Sequence, residues 1–315
     1  MKYYMAPMEG ITRYIYRNAY HKHFRAMDKY FTPFLSPSQN KTFKTREMQD
    51  VLPENNTDMF IVPQILSNKA EDFIEMAKRL GQLGYQEVNL NLGCPSPTVV
   101  TKGKGSGFLE HTEALDAFLE AVLDGVDMKI SIKTRIGKDD PEEFHELMRI
   151  YNRYPLEELI IHPRIQQDHY KNTPNLEMFG MGLGISRSPV CYNGDICTAS
   201  DCERILEQFS GIAAVMIGRG ILQNPGLLES IADNTVLSKS KLRAFHDMIY
   251  EEYQEILFGE HVVLFKMKEL WFHMLPIFAD AERYGKIIKK VQNLKDYEQI
   301  IDSLFVEKEF AKERL

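Results

Sequence analysis

Apolar and polar positions along this chain fall into short blocks that switch between two periods. Apolar runs, many rich in β-branched and aromatic side chains, stop abruptly at turn residues. Most are followed by a segment whose apolar positions recur every three or four residues. The strand-like runs fall at residues 2–6, 29–35, 59–66, 88–92, 128–136, 158–162, 189–192 and 212–217. Helix-like segments fall at 13–23, after Asn68, at 112–123, from Pro141, from about Ser200 and after Pro225. Thr12 and Asn68 stand where side-chain caps would start two of these helices, and Pro141 suits a first helical turn. Between Asn175 and Gly184 three glycines predict a short or irregular sixth helix. Eight strand-then-helix units is the count of a closed (β/α)8 TIM barrel, an α/β fold of about 250 residues. From about residue 239 the strands cease, and 243–258, 262–276, 281–291 and 297–305 are helical by period. The predicted organisation is therefore a catalytic TIM barrel over 1–238 and a C-terminal all-helical domain over 239–315.

Composition changes little in that picture: 315 residues, 44% hydrophobic and 26% charged, are ordinary for a globular chain with a sizeable core. No apolar run is long enough to span a bilayer, and the first residues enter a strand directly, so neither a membrane segment nor a signal peptide is expected. The four cysteines, Cys94, Cys191, Cys197 and Cys202, lack Cys-x-x-Cys spacing, so no metal site and no disulfide framework is predicted. A reducing cytoplasm is the expected compartment, and a monomer the expected state. The net charge of −7 argues against indiscriminate nucleic-acid binding but leaves room for a local basic face.

The chemistry-bearing residues gather at strand carboxyl ends, the edge where ligands bind in parallel α/β folds. They are Pro7-Met8-Glu9, Gln64, Asn91, Cys94, Lys133, Arg135, His162, Arg164, Asn193-Gly194-Asp195 and Gly218-Arg219. Cys94 ends a buried strand and precedes Lys102-Gly103-Lys104-Gly105-Ser106-Gly107, which reads as a basic loop able to move. The glycine turns after strands seven and eight can present backbone N–H groups to a phosphate, with Arg219 adding charge. Lys133 would point a cation into the same mouth, where a flavin's electron-rich N1–C2=O edge could use it.

Taken together, Ala6-Pro7-Met8-Glu9-Gly10, Asn91-Leu92-Gly93-Cys94-Pro95, Lys133-Thr134-Arg135, His162-Pro163-Arg164, Asn193-Gly194-Asp195 and Gly218-Arg219-Gly220 resemble, in order and spacing, the tRNA-dihydrouridine synthase family. The resemblance implies an FMN enzyme that uses NADPH to reduce uridines in tRNA, or another structured RNA, to 5,6-dihydrouridine. It implies FMN contacts from Pro7, Met8, Glu9, Gln64, Lys133, His162, Asn193, Gly194, Asp195, Gly218 and Arg219. It makes Cys94 the proton donor to uracil C5 and sets Asn91, Arg135 and Arg164 beside the substrate. The helical segment resembles the family's RNA-binding addition, with Lys286, Lys289 and Lys290 as phosphate contacts, alongside Lys266, Lys268 and Arg283. One departure is visible: Glu269 follows Lys268 where the family commonly has histidine. Residues 239–315 also hold 13 Lys and Arg against 14 Asp and Glu. Three alternatives stay open: a ribosomal RNA substrate, a related FMN barrel acting on a small molecule in the manner of a dihydroorotate dehydrogenase, and an RNA-binding role with vestigial catalysis.

Overall fold

The structure is a computed structural model, and it describes residues 1–37 and 45–314. Among these residues nine short strands make one sheet: β1 (Lys2–Met5), β2 (Lys29–Phe31), β3 (Ile61–Val62), β4 (Gln64–Ile65), β5 (Glu87–Leu92), β6 (Lys129–Arg135), β7 (Leu159–His162), β8 (Val190–Tyr192) and β9 (Ala214–Ile217). Their order is β3-β2-β1-β9-β8-β7-β6-β5-β4, and every pair whose register is defined is parallel.

The two ends of that sheet are halves of one strand. Pro63 has no N–H to give the ladder and interrupts the run. β3 pairs with β2 on one side of Pro63, and β4 pairs with β5 on the other. The Pro63 carbonyl still accepts from Asn89 N at 2.9 Å. Counted this way there are eight strands, and the sheet all but closes on itself as a (β/α)8 barrel.

The chain divides into two compact units. The first holds Met1–Glu9, Asp28–Gly194 and Gln208–Met216; the second holds Gly10–Met27, Asp195–Glu207 and Ile217–Leu315. The helix Tyr14–His23 thus belongs with the C-terminal helices, through edge-on contacts of Tyr16 and Phe24 with Phe245 at 5.4 and 5.2 Å. Four helices carry the C-terminal part of this unit: Lys239–Ile256, Glu260–Met274, Glu282–Lys290 and Leu294–Glu307. Trp271 Nε1 donates to the Tyr297 hydroxyl at 2.8 Å, and that hydroxyl meets His246 Nε2 at 2.6 Å, so the polar atoms of this aromatic core are paired.

In the first unit, alternate strand residues fill the barrel in layers. Ala6, Phe31, Val62, Ile160, Cys191, Ala214 and Met216 give it an apolar wall. Below them lies a charged floor, where Lys29 Nζ donates to Glu87 at 2.8 Å and to Glu158 at 3.0 Å, and the Tyr4 hydroxyl bonds Glu158. Burial works against the Lys29 ammonium, but its bonds to the two carboxylates outweigh it and raise the lysine pKa. Burial lifts the Glu87 pKa, with the Glu158 charge adding a little, against downward pulls from Lys29 and Ser131.

Several local expectations are corrected. Arg13, not Thr12, is the cap residue of the first helix, and it makes no side-chain capping bond. Lys69 caps the helix Ala70–Gln82, while Asn68 Nδ2 instead donates to the Lys102 and Gly103 carbonyls at 3.0 and 3.1 Å. The helix expected from Pro141 begins at Glu143, whose carboxylate accepts from the backbone N–H groups of Lys138, Asp139 and Asp140. An unpredicted helix covers Thr45–Val51. The sixth helix is regular, Leu176–Ile185, with Asn175 Oδ1 accepting from Met178 N at 3.0 Å.

Candidate active site

β5 carries the centre of the site in the first unit. Its sequence Glu-Val-Asn-Leu-Asn-Leu alternates polar and apolar, and the polar set Glu87, Asn89 and Asn91 lines the barrel side by side with Ser131 and Gln64. At the carboxyl end Asn91 Oδ1 accepts from the backbone N–H groups of Gly93 at 3.0 Å and Cys94 at 2.9 Å. One side chain therefore shapes the turn that delivers the thiol.

Cys94 is held from its other side by the segment expected to be mobile. Ser106 N and Oγ both donate to the Cys94 carbonyl, at 3.1 and 2.9 Å, and Gly105–Phe108 form a buried helical turn. The loop is a clamp on Cys94. Burial pushes the thiol pKa up, against smaller downward pulls from the Ser96 backbone, Arg135 and Lys133. The thiol is thus kept as SH at neutral pH, the state of a proton donor and not of a nucleophile.

Lys133, two residues before the end of β6, lies beside Asn91 in the sheet register. Burial, reinforced by Arg135, lowers its pKa to about 8. Its ammonium has no hydrogen-bond acceptor among the described residues, the condition of a cation awaiting an electron-rich ligand. Arg135 is used differently. Its guanidinium is fully buried and donates to the carbonyls of Gly93, Ile165 and His169 at 2.9, 2.8 and 2.8 Å. It ties the cysteine turn to the loop after β7. His162 ends β7, and its Nε2 faces Arg164 Nη1 at 3.0 Å. Because arginine can only donate, that nitrogen accepts, which leaves the proton of the neutral ring on Nδ1. Tyr170 stacks on His162 at 6.0 Å and lies 5.5 Å from the Arg135 guanidinium carbon, with its ring 47% exposed.

Gln64 and Asn91 are buried neighbours bonded at 2.6 Å. Pro7 and Met8 are half-buried after β1, and exposed Glu9 pairs with Arg46 at 3.5 Å. Asn193 follows β8 and donates to the Met216 carbonyl at 2.8 Å. Gly194 is buried, and a Cβ there would meet the Tyr192 hydroxyl at 2.9 Å. The first unit thus brings Gln64, Asn91, Cys94, Lys133, Arg135, His162, Arg164, Asn193 and Gly194 to one end of its sheet.

The remaining predicted residues belong to the second unit. Arg219 forms an ion pair with Asp195, and Gly218 caps the short helix Arg219–Gln223. Lys286, Lys289 and Lys290 are exposed on the helix Glu282–Lys290. Arg283, Lys286 and Lys290 line a groove of about 680 Å³ that Asp296 and Glu307 also border. Lys266 and Lys268 are engaged internally: the first donates to the Gly10 carbonyl at 3.2 Å and pairs with Glu269, the second donates to the Val291 carbonyl at 2.6 Å. The acid at 269 thus helps hold the turn at Gly10.

Sequence comparison decides what this arrangement belongs to. The family model described as Dihydrouridine synthase (Dus) matches residues 4–312. The chain belongs to the dihydrouridine synthase family. As a member it is an oxidoreductase. Among curated relatives, "Probable tRNA-dihydrouridine synthase 2" of Bacillus subtilis is 28% identical over 232 residues, 71% of this chain and 70% of that protein. The "Probable tRNA-dihydrouridine synthase" of Staphylococcus aureus strain MRSA252 is 27% identical over 261 residues, 80% and 78% of the two chains. A solved structure of a variant of NCR from Zymomonas mobilis shares the barrel fold with a TM-score of 0.53 at 13% identity, covering 78% of this chain and 90% of that one. No helix among the described residues is long and apolar enough to cross a membrane. No group of three or more His, Cys, Asp or Glu side chains among them could hold a metal ion.

Residues that sequence reasoning missed are Glu87, Asn89 and Ser131. The signal for the first two was present, because Glu87, Asn89 and Asn91 are spaced by two and must share one face of a strand.

Proposed function

We propose that this dihydrouridine synthase reduces uridine in tRNA to 5,6-dihydrouridine, with FMN bound at the strand ends, NADPH as reductant and Cys94 as the acid. The observation that carries the reading is the pairing of a thiol kept protonated by burial with an ammonium, Lys133, that lacks an acceptor among the described residues, on adjacent strands. The tRNA substrate follows the relatives' names.

The residues suit a flavin. Lys133 supplies a cation for the N1–C2=O edge, Gln64 and His162 supply donors, and Pro7, Met8, Glu9, Asn193 and Gly194 complete the first unit's share. Asp195, Gly218 and Arg219 of the second unit are proposed for the phosphate. When bound, FMN supplies hydride to uracil C6 and is recharged by NADPH. Hydride at C6 puts negative charge on C5 and O4, and Cys94 gives its proton to C5, so both atoms of the double bond end saturated. Asn91 sets the turn that aims the thiol, and Arg135 holds that turn to the Ile165–His169 loop. Arg164 orients His162, beside which the base would lie. A stacked uridine cannot reach a barrel end, so the substrate base must be unpaired or flipped out. We assign residues 239–315, with Lys286, Lys289 and Lys290, to RNA binding, and the cytoplasm as compartment.

The test is single-turnover reoxidation of reduced flavin by unmodified tRNA, followed by absorbance without oxygen. Cys94→Ala should keep flavin content and NADPH-driven reduction but slow reoxidation by ~10²-fold or more. Wild-type reoxidation with dihydrouridine formed would move the acid to another group.

A further inference from the structure

A single file of hydrogen bonds runs through the barrel from its charged floor to the cysteine turn. Lys29 Nζ donates to Glu87 Oε2 at 2.8 Å, and Ser131 Oγ donates to Glu87 Oε1 at 2.8 Å. Asn89 Nδ2 donates to Ser131 Oγ at 3.0 Å, Gln64 Nε2 to Asn89 Oδ1 at 2.8 Å, and Asn91 Nδ2 to Gln64 Oε1 at 2.6 Å. Asn91 Oδ1 then receives the Gly93 and Cys94 backbone N–H groups. Every side chain in the file is buried, with Gln64, Asn89 and Ser131 wholly so.

The direction of this file is not arbitrary. An amide can be turned over at little steric cost, because its oxygen and nitrogen have nearly the same shape. What fixes each one is its neighbour. A carboxylate only accepts, so Ser131 must spend its proton on Glu87 and offer its lone pair to Asn89. That turns the Asn89 nitrogen downward and its oxygen up to Gln64, and the same logic repeats at Gln64 and Asn91. The end of the file is therefore an oxygen facing two backbone N–H groups. Reversed, it would set an NH2 against two N–H donors, leaving part-buried donors without acceptors.

We infer that Glu87 and Ser131 are positioning residues for the active site: the floor carboxylate sets the polarity of Asn89, Gln64 and Asn91, and through them the turn that holds Cys94. The inference rests on the reading of Cys94 and Gln64 as functional residues, but its test does not. In the free protein, hydrogen exchange of the Gly93 and Cys94 amides is read by NMR against strand amides such as Ile160.

Glu87→Gln is nearly isosteric and should reverse the file. Lys29 cannot accept, so the new amide keeps its oxygen toward Lys29 and turns its NH2 toward Ser131. Each amide above must then invert. Exchange at Gly93 and Cys94 should accelerate by about fivefold or more while Ile160 is unchanged, the scale of one lost net hydrogen bond. Ser131→Ala cuts the file and should also loosen the two amides, and Ser131→Thr, which keeps the hydroxyl, should restore them. In a Ser131→Ala background, Glu87→Gln should add nothing at the turn, because no connection remains to carry the reversal. Wild-type protection in Glu87→Gln, or an undiminished effect of Glu87→Gln in the Ser131→Ala background, would overturn the inference. If Glu87→Gln does not fold, the Ser131 pair decides: unchanged protection in Ser131→Ala overturns it as well. Since neither flavin nor RNA is present, a failed relay and a failed reading of the reaction are separate results.

Discussion

Gly105 lies so close to Cys94 that a Cβ placed on it would be 2.7 Å from the Cys94 carbonyl oxygen and 3.0 Å from the Cys94 Cβ. Its φ of +57° also lies in the left-handed region that glycine occupies without strain. Gly105→Ala should therefore cost about 2 kcal/mol or more in urea unfolding, from backbone strain and the displaced cysteine turn together. It should also change the reaction rate of Cys94 with iodoacetamide, whereas Gly84→Ala, with open space around its Cβ, should leave Cys94 untouched.

Cys94 itself should titrate late. Burial raises the thiol pKa above its ordinary value of 9.0, so the group keeps its proton through neutral and mildly alkaline pH. An acid acts only while protonated. The C5-protonation step should hold its full rate up to that raised pKa and fall beyond it. Alkylation, which needs the thiolate, should run the opposite way, climbing about tenfold per pH unit and still rising past pH 9. Site-resolved mass spectrometry at several pH values reads this directly; a plateau below pH 8 would show an activated thiolate instead.

Lys133 predicts a pH-dependent stability difference. Its folded pKa, about 8, lies below the ordinary 10.5. Between those values the unfolded chain binds a proton that the folded chain does not, so this lysine's contribution to stability improves as pH rises through the window. Below pH 8 the lysine is a full liability to the free protein. Lys133→Met should be the more stable protein at pH 7, by at most roughly 3 kcal/mol, with the gap closing toward pH 10.5. Paired denaturant titrations at pH 7 and pH 10 measure it, and equal gaps at both would refute the depressed pKa.

On the helix Glu282–Lys290 the three lysines are exposed, and among the described residues no hydrogen bond or ion pair occupies their ammonium groups. Changing Lys286, Lys289 and Lys290 together to Ala should weaken tRNA binding and lower the log–log salt slope by roughly two to three, about one for each phosphate no longer neutralised. NADPH-driven flavin reduction should persist. An unchanged slope would make these lysines a solvated face.

The barrel was legible because its strands are apolar runs closed by turn residues, and the site because chemistry-bearing residues recur just past those closures. What the sequence concealed has specific causes. The glycines at 180 and 182 suggested an irregular helix, yet a Cβ at Gly182 would lie 2.6 Å from Phe144, and one at Gly180 3.1 Å from Phe209. They let a regular helix pack closely, a tertiary reason that no local pattern displays. Likewise Lys102 to Gly107 has the composition of a flexible loop, and its bonds to Val99, Val100, Asn68 and Cys94 make it fixed. Arg135 looked like a substrate-facing cation; that three carbonyls occupy it depends on segments 30 to 42 residues away in the chain.

The sheet order has a consequence for how the protein is made. β1 lies between β2 and β9, so one edge of the first strand has no partner until Ala214–Ile217 has been synthesised, more than two hundred residues later. At roughly 5–20 residues per second, that edge waits about 10–40 s as the chain leaves the ribosome. An open strand edge of this kind pairs with whatever strand it meets. The nascent chain is therefore exposed to misassembly for most of its translation, and it depends on chaperone protection or on late, concerted closure around β9.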